Sequence, residues 1–215
     1  PALQWNAALF STVNRDDLLF ISNGLAAGYF TNFGRTQRQG FELGLSQQYT
    51  SFGWSASYSY LRATYRSSAC VVAETNSTAE TSAACTGEGE IEIRPGDRIP
   101  NIPRHTLKLD AGWRPSPAWR IGANVIAQSA QYARGNENNE HRPDGVDFFG
   151  EGSVPKFAVL NLDARWQFAP GWTLGAALKF DTNPSSYPIV FTRWEGIELM
   201  NYSPLIYARK QKNIA

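Results

Sequence analysis

The sequence predicts an all-β chain: an antiparallel transmembrane β-barrel segment of about seven to eight strands. Three observations carry this reading. Apolar and polar side chains alternate with period two along most of the 215 residues. Successive strand side chains point to opposite faces, so each such segment has one apolar face and one polar or small face. The alternating segments run to about ten residues, the length a tilted strand needs to cross the hydrocarbon layer. Trp or Tyr recurs at strand ends beside three short turns, as Tyr49 and Trp54, Trp113 and Trp119, and Trp166 and Trp172. That pattern suits an aromatic girdle at one membrane interface. A soluble β-sandwich also alternates; the girdle pairing at all three turns favours the membrane. No segment shows comparable helical periodicity.

The first strand is read over about residues 2–22. Leu3, Trp5, Ala7 and Leu9 alternate with Gln4, Asn6 and Ala8; Asn14 to Asp17 interrupts the pattern, and 18–22 is apolar again. Residues 23–28 read as a turn, and 29–50 return as the second strand. In it Phe41, Leu43, Leu45 and Tyr49 share one face and Glu42, Gly44, Ser46 and Gln48 the other. The third, about 54–67, alternates Trp54, Ala56, Tyr58 and Tyr60 with Ser55, Ser57 and Ser59. The fourth, about 104–114, sets Leu107, Leu109, Ala111 and Trp113 against Lys108, Asp110, Gly112 and Arg114. The fifth spans about 119–133, the sixth about 157–168 and the seventh about 172–182. An eighth, within 187–207, stays open.

The connections alternate in length. Ser51-Phe52-Gly53, Pro115-Ser116-Pro117-Ala118 and Ala169-Pro170-Gly171 are tight turns, while about 68–103 and about 134–155 are long and polar. This is a hairpin series with one end trimmed and the other decorated.

Composition narrows the function classes. Lys+Arg number 20 and Asp+Glu 19, so neither a basic nucleic-acid footprint nor an acidic tail is present. The 13% aromatic content excludes a disordered chain. The chain starts at Pro1 and its one Met is Met200, so a native N-terminus is expected upstream. Cys70 and Cys85 lie in one polar segment, and the two histidines, His105 and His141, are far apart in sequence. No Cys/His metal set is expected. A local disulfide in an oxidising compartment is the better reading, with two free thiols as the alternative.

Certain strings resemble a known family. Residues 32–43 (NFGRTQRQGFEL) resemble the N-x-G-x-[ST]-x-x-x-G-x-E-[LF] strand of TonB-dependent outer-membrane receptors, and 95–107 (PGDRIPNIPRHTL) their loop-to-strand signature. The string 58–65 (YSYLRATY) between them is similar too. The resemblance covers about 1–180. It implies that 1–183 is the C-terminal part of a barrel of 22 strands, preceded elsewhere by a plug domain and an energy-coupling box. Residues 178–183 (LKFDTN) depart from the family's Asn-Leu-Phe-Asp-like string, and the chain ends at Ala215 without a terminal aromatic. So 184–215 is read as a divergent tail in which the closing strand is uncertain.

The resemblance implies a bacterial outer-membrane receptor, not an enzyme, with no cofactor. Its ligand would be a ferric siderophore or another scarce, bulky molecule such as cobalamin or an oligosaccharide. Its partners would be outer-membrane lipid and the TonB energy-coupling complex, the latter through the N-terminal part outside this chain. Two alternatives remain: a soluble aromatic-rich β-sandwich binding module, and a small self-closing outer-membrane barrel.

No catalytic constellation appears in the sequence. His105 reads as a solvated rim residue. Glu88, Glu90 and Glu92 alternate in the first long loop and suit either a cation or a solvated edge. Long loops on a rigid barrel are where ligand contacts usually sit. Candidate contacts are Phe148 and Phe149 toward an apolar ligand, and Arg98, Arg134 and Arg142 toward an anionic one such as a ferric chelate. The competing accounts are rim packing for the Phe pair and ordinary surface charge for the arginines.

Overall fold

The computed structural model describes residues 2–22, 28–170, 172–182 and 205–210. Its strands are β1 (Gln4–Ser22), β2 (Gly28–Gln48), β3 (Phe52–Tyr65), β4 (Ala69–Val72), β5 (Glu90–Ile93), β6 (His105–Trp113), β7 (Trp119–Gln128), β8 (Gln131–Tyr132), β9 (Ser153–Val154), β10 (Phe157–Ala169), β11 (Trp172–Asp181) and β12 (Leu205–Lys210). Eight of them form one antiparallel sheet in the order β1-β2-β3-β6-β7-β10-β11-β12. The seven regular strands expected from alternation are present within a few residues of their predicted bounds. Of the segment 187–207, residues 187–204 lie outside the described residues; the backbone of β12 pairs with β11. The turn expected at 23–28 likewise lies almost wholly outside them.

The sheet corrects both alternatives. Among the described residues no second sheet of comparable size faces it, as a sandwich requires. β1 and β12 stand at opposite ends of the strand order without pairing, so it is not a small self-closing barrel. It is an open wall.

Register puts the two faces in phase across the wall. Trp5, Leu45, Ala56, Leu109, Val125, Leu160 and Phe180 are successive cross-strand partners on one face. One step along, Gln4, Ser46, Ser55, Asp110, Asn124, Asn161 and Lys179 form a row on the other. Leu9, Leu43, Leu45, Leu109, Leu178 and Phe180 are exposed. Water would penalise such a surface at about 25 cal/mol per Å2, whereas lipid does not. At the tight-turn end Trp119 and Trp166 stack, 5.5 Å between centroids and 9° between planes. Trp113, Phe168 and Trp172 are exposed beside them.

The buried core lies at the other end. His105, at the outer end of β6, is level with Tyr60, Phe41 and Leu9, so β1 and β2, ending at Ser22 and Gly28, run on by roughly 40 Å at about 3.3 Å per residue. On this extension Leu19, Phe33, Ala63 and Tyr65 pack with Val71, Ala73, Ile91, Ile93 and Ile99 of the first long loop. The hairpin β4–β5 supplies Val71, Ile91 and Ile93. The alternation of Glu90, Ile91, Glu92 and Ile93 signals that hairpin, but four residues are too few to outweigh a polar context. The interruption at Asn14 to Asp17 is a twist, not a break. Asp16 adopts a left-handed backbone, φ 53°, and the β1–β2 register continues from Arg15↔Arg35 to Asp17↔Phe33. The Asp17 carboxylate thereby turns to the polar face, where it accepts hydrogen bonds from Thr36 Oγ1 and Arg38 Nη1.

Candidate functional site

The two long loops are not independent. Cys70 and Cys85 are bonded, with Cα atoms 5.6 Å apart, and the bond closes the base of a loop whose tip is Asn76, Ser77 and Thr78. That tip engages the second loop. Asn76 Nδ2 donates to the Gly135 carbonyl at 2.7 Å and to Asn138 Oδ1 at 3.2 Å. Asn138 Nδ2 donates to Thr78 Oγ1 at 2.8 Å, and the Arg142 N–H to Ser77 Oγ at 2.8 Å. Arg98 and Asn139 exchange bonds: the Arg98 N–H donates to Asn139 Oδ1 and Asn139 Nδ2 to the Arg98 carbonyl. Arg94 Nη1 lies 3.2 Å from Glu140 Oε1.

His141 is buried at this junction. Its Nδ1 accepts the Ser77 N–H at 3.0 Å, so Nε2 carries the proton and donates to the Gly150 carbonyl at 2.8 Å. The neutral ring thus ties together both loops. Glu137 is 2% exposed. Its Oε1 accepts the Gly135 N–H at 3.0 Å, while Oε2 has no hydrogen-bond partner. Burial pushes its carboxyl above the usual range, against the opposing Gly135 N–H and Arg134 charge. Asp97 is raised too, again chiefly by burial. Asp144 lies below the usual range because its carboxylate accepts the N–H groups of Phe148, Val146 and Asp147. That turn holds Val146 and Phe149 outward, 72% and 75% exposed.

The predicted contacts fall in different places. Phe149 projects into solvent, whereas Phe148 packs edge-on against His141, 5.8 Å between centroids. The Arg98 guanidinium lies over Tyr132 at 5.1 Å and that of Arg134 over Phe20 at 4.8 Å. Arg142 is exposed, with Nη1 on the His141 carbonyl. His105 is exposed, but on the apolar side: its Nδ1 lies 2.7 Å from the Tyr58 hydroxyl, and its ring lies against Tyr58 and Tyr60. Of the three glutamates, Glu92 bonds Ser82 and Arg94, and Glu90 accepts the Gly87 N–H. Sequence reading missed Asn76, Asn136, Glu137, Asn138 and His141, all buried. The run NENNEH has the composition of a solvated loop, and nothing local distinguishes an asparagine that bonds another loop from one that bonds water.

Below the loops the polar face forms an open recess of about 940 Å3. Ser46, Ser55, Asp110, Asn124, Arg120 and Asp163 line it. Asp110 and Asn124 are hydrogen-bonded at 2.8 Å and Asn124 and Asn161 at 3.2 Å. Gly53, Gly112 and Gly122 stand in one cross-strand row with Asp163. A Cβ on Gly122 would lie 2.2 Å from Asp163 Oδ1, so the missing side chain is the space Asp163 occupies.

A wall with an apolar outer face, a polar inner face and interlocked loops at one end is matched by known proteins. The family model described as TonB dependent receptor-like, beta-barrel matches residues 1–179. Among solved structures, the siderophore receptor PiuA from Acinetobacter baumannii is similar at 19% identity and TM-score 0.54, over 81% of this chain and 21% of that one. The ferric-catecholate import receptor Fiu from K12 E. coli is similar at 14% and 0.51, over 81% and 20%. A ferric enterobactin receptor mutant from Pseudomonas aeruginosa, in complex with enterobactin, is similar at 15% and 0.51, over 82% and 23%. This chain spans about a fifth of the length of these structures, and at such identities the likeness is one of fold. With the family model matched over most of its length, the chain belongs to the TonB-dependent receptor-like β-barrel family of outer-membrane receptors and transporters, and is a portion of such a barrel.

Proposed function

We propose that residues 1–183 are the C-terminal barrel portion of an outer-membrane receptor that imports a scarce ligand such as a ferric siderophore, with 184–215 a divergent tail. Import would be driven by the TonB complex acting through an N-terminal part outside this chain. The observation that carries the reading is the outer cap. Two long loops, joined by reciprocal side-chain bonds, stand over a polar wall whose other side is apolar. A rigid scaffold that holds loops in a fixed arrangement suits ligand capture. Phe149 is the contact best placed for an apolar part of a ligand, and Arg142 for an anionic part. Arg98, Arg134 and Phe148 would act from the packed side of the same cap.

The test uses the full-length receptor. Binding of a radioiron-loaded catecholate chelate is measured on whole cells, and growth under iron limitation is followed alongside. Phe149→Ala with Arg142→Gln should weaken binding about tenfold while assembly in the membrane is unchanged. Unchanged chelate binding would remove these residues from the site. Import of cobalamin or an oligosaccharide, with no iron chelate bound, would overturn the siderophore reading.

A further inference from the structure

We infer that Arg15, Arg35 and Arg66, a row of exposed arginines on the outward face, bind the phosphate groups of an outer-leaflet lipid. Arg15 is directly opposite Arg35 in the β1–β2 register. The Arg66 N–H donates to the Arg35 carbonyl at 2.8 Å, which extends the β2–β3 register one step past Thr36↔Tyr65. Alternation sets the face. Leu9, Phe41 and Tyr60 are partners on the apolar side. Steps of two from them lead through Ser11, Gln39 and Arg62, then Val13, Gln37 and Thr64, to the three arginines. All three are exposed.

Like charges directly opposite in a sheet destabilise it. Among the described residues no ion pair relieves them: the pairs there are Arg38–Asp17, Arg94–Glu92 and Arg94–Glu140. Asp17, close in sequence, is turned to the polar face and holds Arg38.

Height along the wall indicates what supplies the anion. Arg66 is twelve residues above Trp54 and Arg35 fourteen from Tyr49, two aromatics of the tight-turn girdle, and Arg15 is level with Arg35. A tilted strand crosses the hydrocarbon layer in about ten residues, so the row lies at the level of the outer headgroups. Six residues below Arg66 on β3, Tyr60 forms with Tyr58 and His105 the aromatic and polar edge of the apolar face. Leu9, 88% exposed, and Val13 offer a surface for acyl chains. Guanidinium groups bind phosphate bidentately and strongly. A phosphorylated lipid satisfies both halves of the surface; a soluble phosphate satisfies one. The inference rests on the outer-membrane placement proposed above, not on the imported ligand.

The test is native mass spectrometry of the full-length receptor in detergent. The probe is bisphosphorylated lipid A, compared with its fully dephosphorylated form. The receptor should bind the first and not the second. Binding should fall about tenfold or more in the triple variant R15Q/R35Q/R66Q and by less in R15K/R35K/R66K, which keeps the charge without the bidentate fork. Inorganic phosphate should not displace the lipid. Equal binding by the Gln triple, equal binding of the dephosphorylated form, or displacement by inorganic phosphate would each overturn the site. Should the Gln triple lack the heat-modifiable mobility of an assembled barrel, R35Q alone carries the comparison, with weaker binding expected. A receptor that fractionates away from the outer membrane would sink the placement itself. A correctly placed receptor with unaltered lipid binding would sink only this site.

Discussion

At the scale of single residues the tightest constraint is backbone against backbone. A Cβ on Gly40 would lie 1.9 Å from the carbonyl oxygen of Tyr60 on the neighbouring strand. No rotamer relieves that contact, because the obstructing atom belongs to the ladder itself. Gly40→Ala should therefore force β2 and β3 apart and lower the yield of assembled receptor, read by heat-modifiable mobility. Gly112→Ala, whose Cβ would meet nothing within 4 Å, should assemble normally. Glu137 makes a different prediction. Its folded-state carboxyl is raised by burial, so the closed cap holds a proton that the open loop releases. Its penalty is absent below the ordinary carboxylate value and grows as pH rises through the raised one. Exchange protection of amides 135–142, corrected for intrinsic rates, should thus fall as pH rises across that window. Glu137→Gln should flatten the slope and raise protection at neutral pH, by about 1 kcal/mol of opening free energy. An unchanged slope would show that Glu137 does not control the cap.

Among the elements, the wall was legible and the cap was not. Alternation located seven strands because a wall between lipid and a polar interior imposes period two over ten residues at a time, and Leu107, Leu109, Ala111 and Trp113 display it plainly. The cap is held by contacts such as Asn76 to Asn138 and Ser77 to His141, 62 and 64 residues apart in sequence. Pairings of that range leave no local pattern. The face assignment predicts that Leu109→Arg or Leu162→Arg costs about 2–4 kcal/mol near the midplane and impairs assembly, whereas Asp163→Asn, on the polar face, is mild. Equal assembly of all three would refute it. The Cys70–Cys85 bond closes a sequence separation of 15, for which chain entropy allows about 3 kcal/mol. Thiol alkylation and intact mass on exported protein, with and without reductant, should show no free thiol until reductant is added. Because the bond braces the loop that bears Asn76 and Ser77, Cys70→Ser with Cys85→Ser should also raise amide exchange in 135–142.

For the whole molecule, the length asymmetry of the connections predicts an orientation. Outer-membrane barrels keep periplasmic turns short and extend the outer loops. On that rule the cap faces outside, and Trp113, Trp119, Trp166 and Trp172 mark the inner interface. The structure also selects the reporter positions. Ser77 lies in the first long loop, but its backbone N–H and hydroxyl are taken up by His141 and Arg142, so a cysteine there would disturb the junction it is meant to report. Val146 is 72% exposed at the tip of the second loop, and Ser116 is exposed in a tight turn. In a full-length receptor lacking Cys70 and Cys85, Val146→Cys should react with an impermeant thiol reagent on intact cells. Ser116→Cys should react only once the outer membrane is opened. Labelling at 116 on intact cells, with 146 silent, would invert the topology. It would also place the arginine row in the periplasmic leaflet and remove the cap from ligand capture, since one orientation supports both.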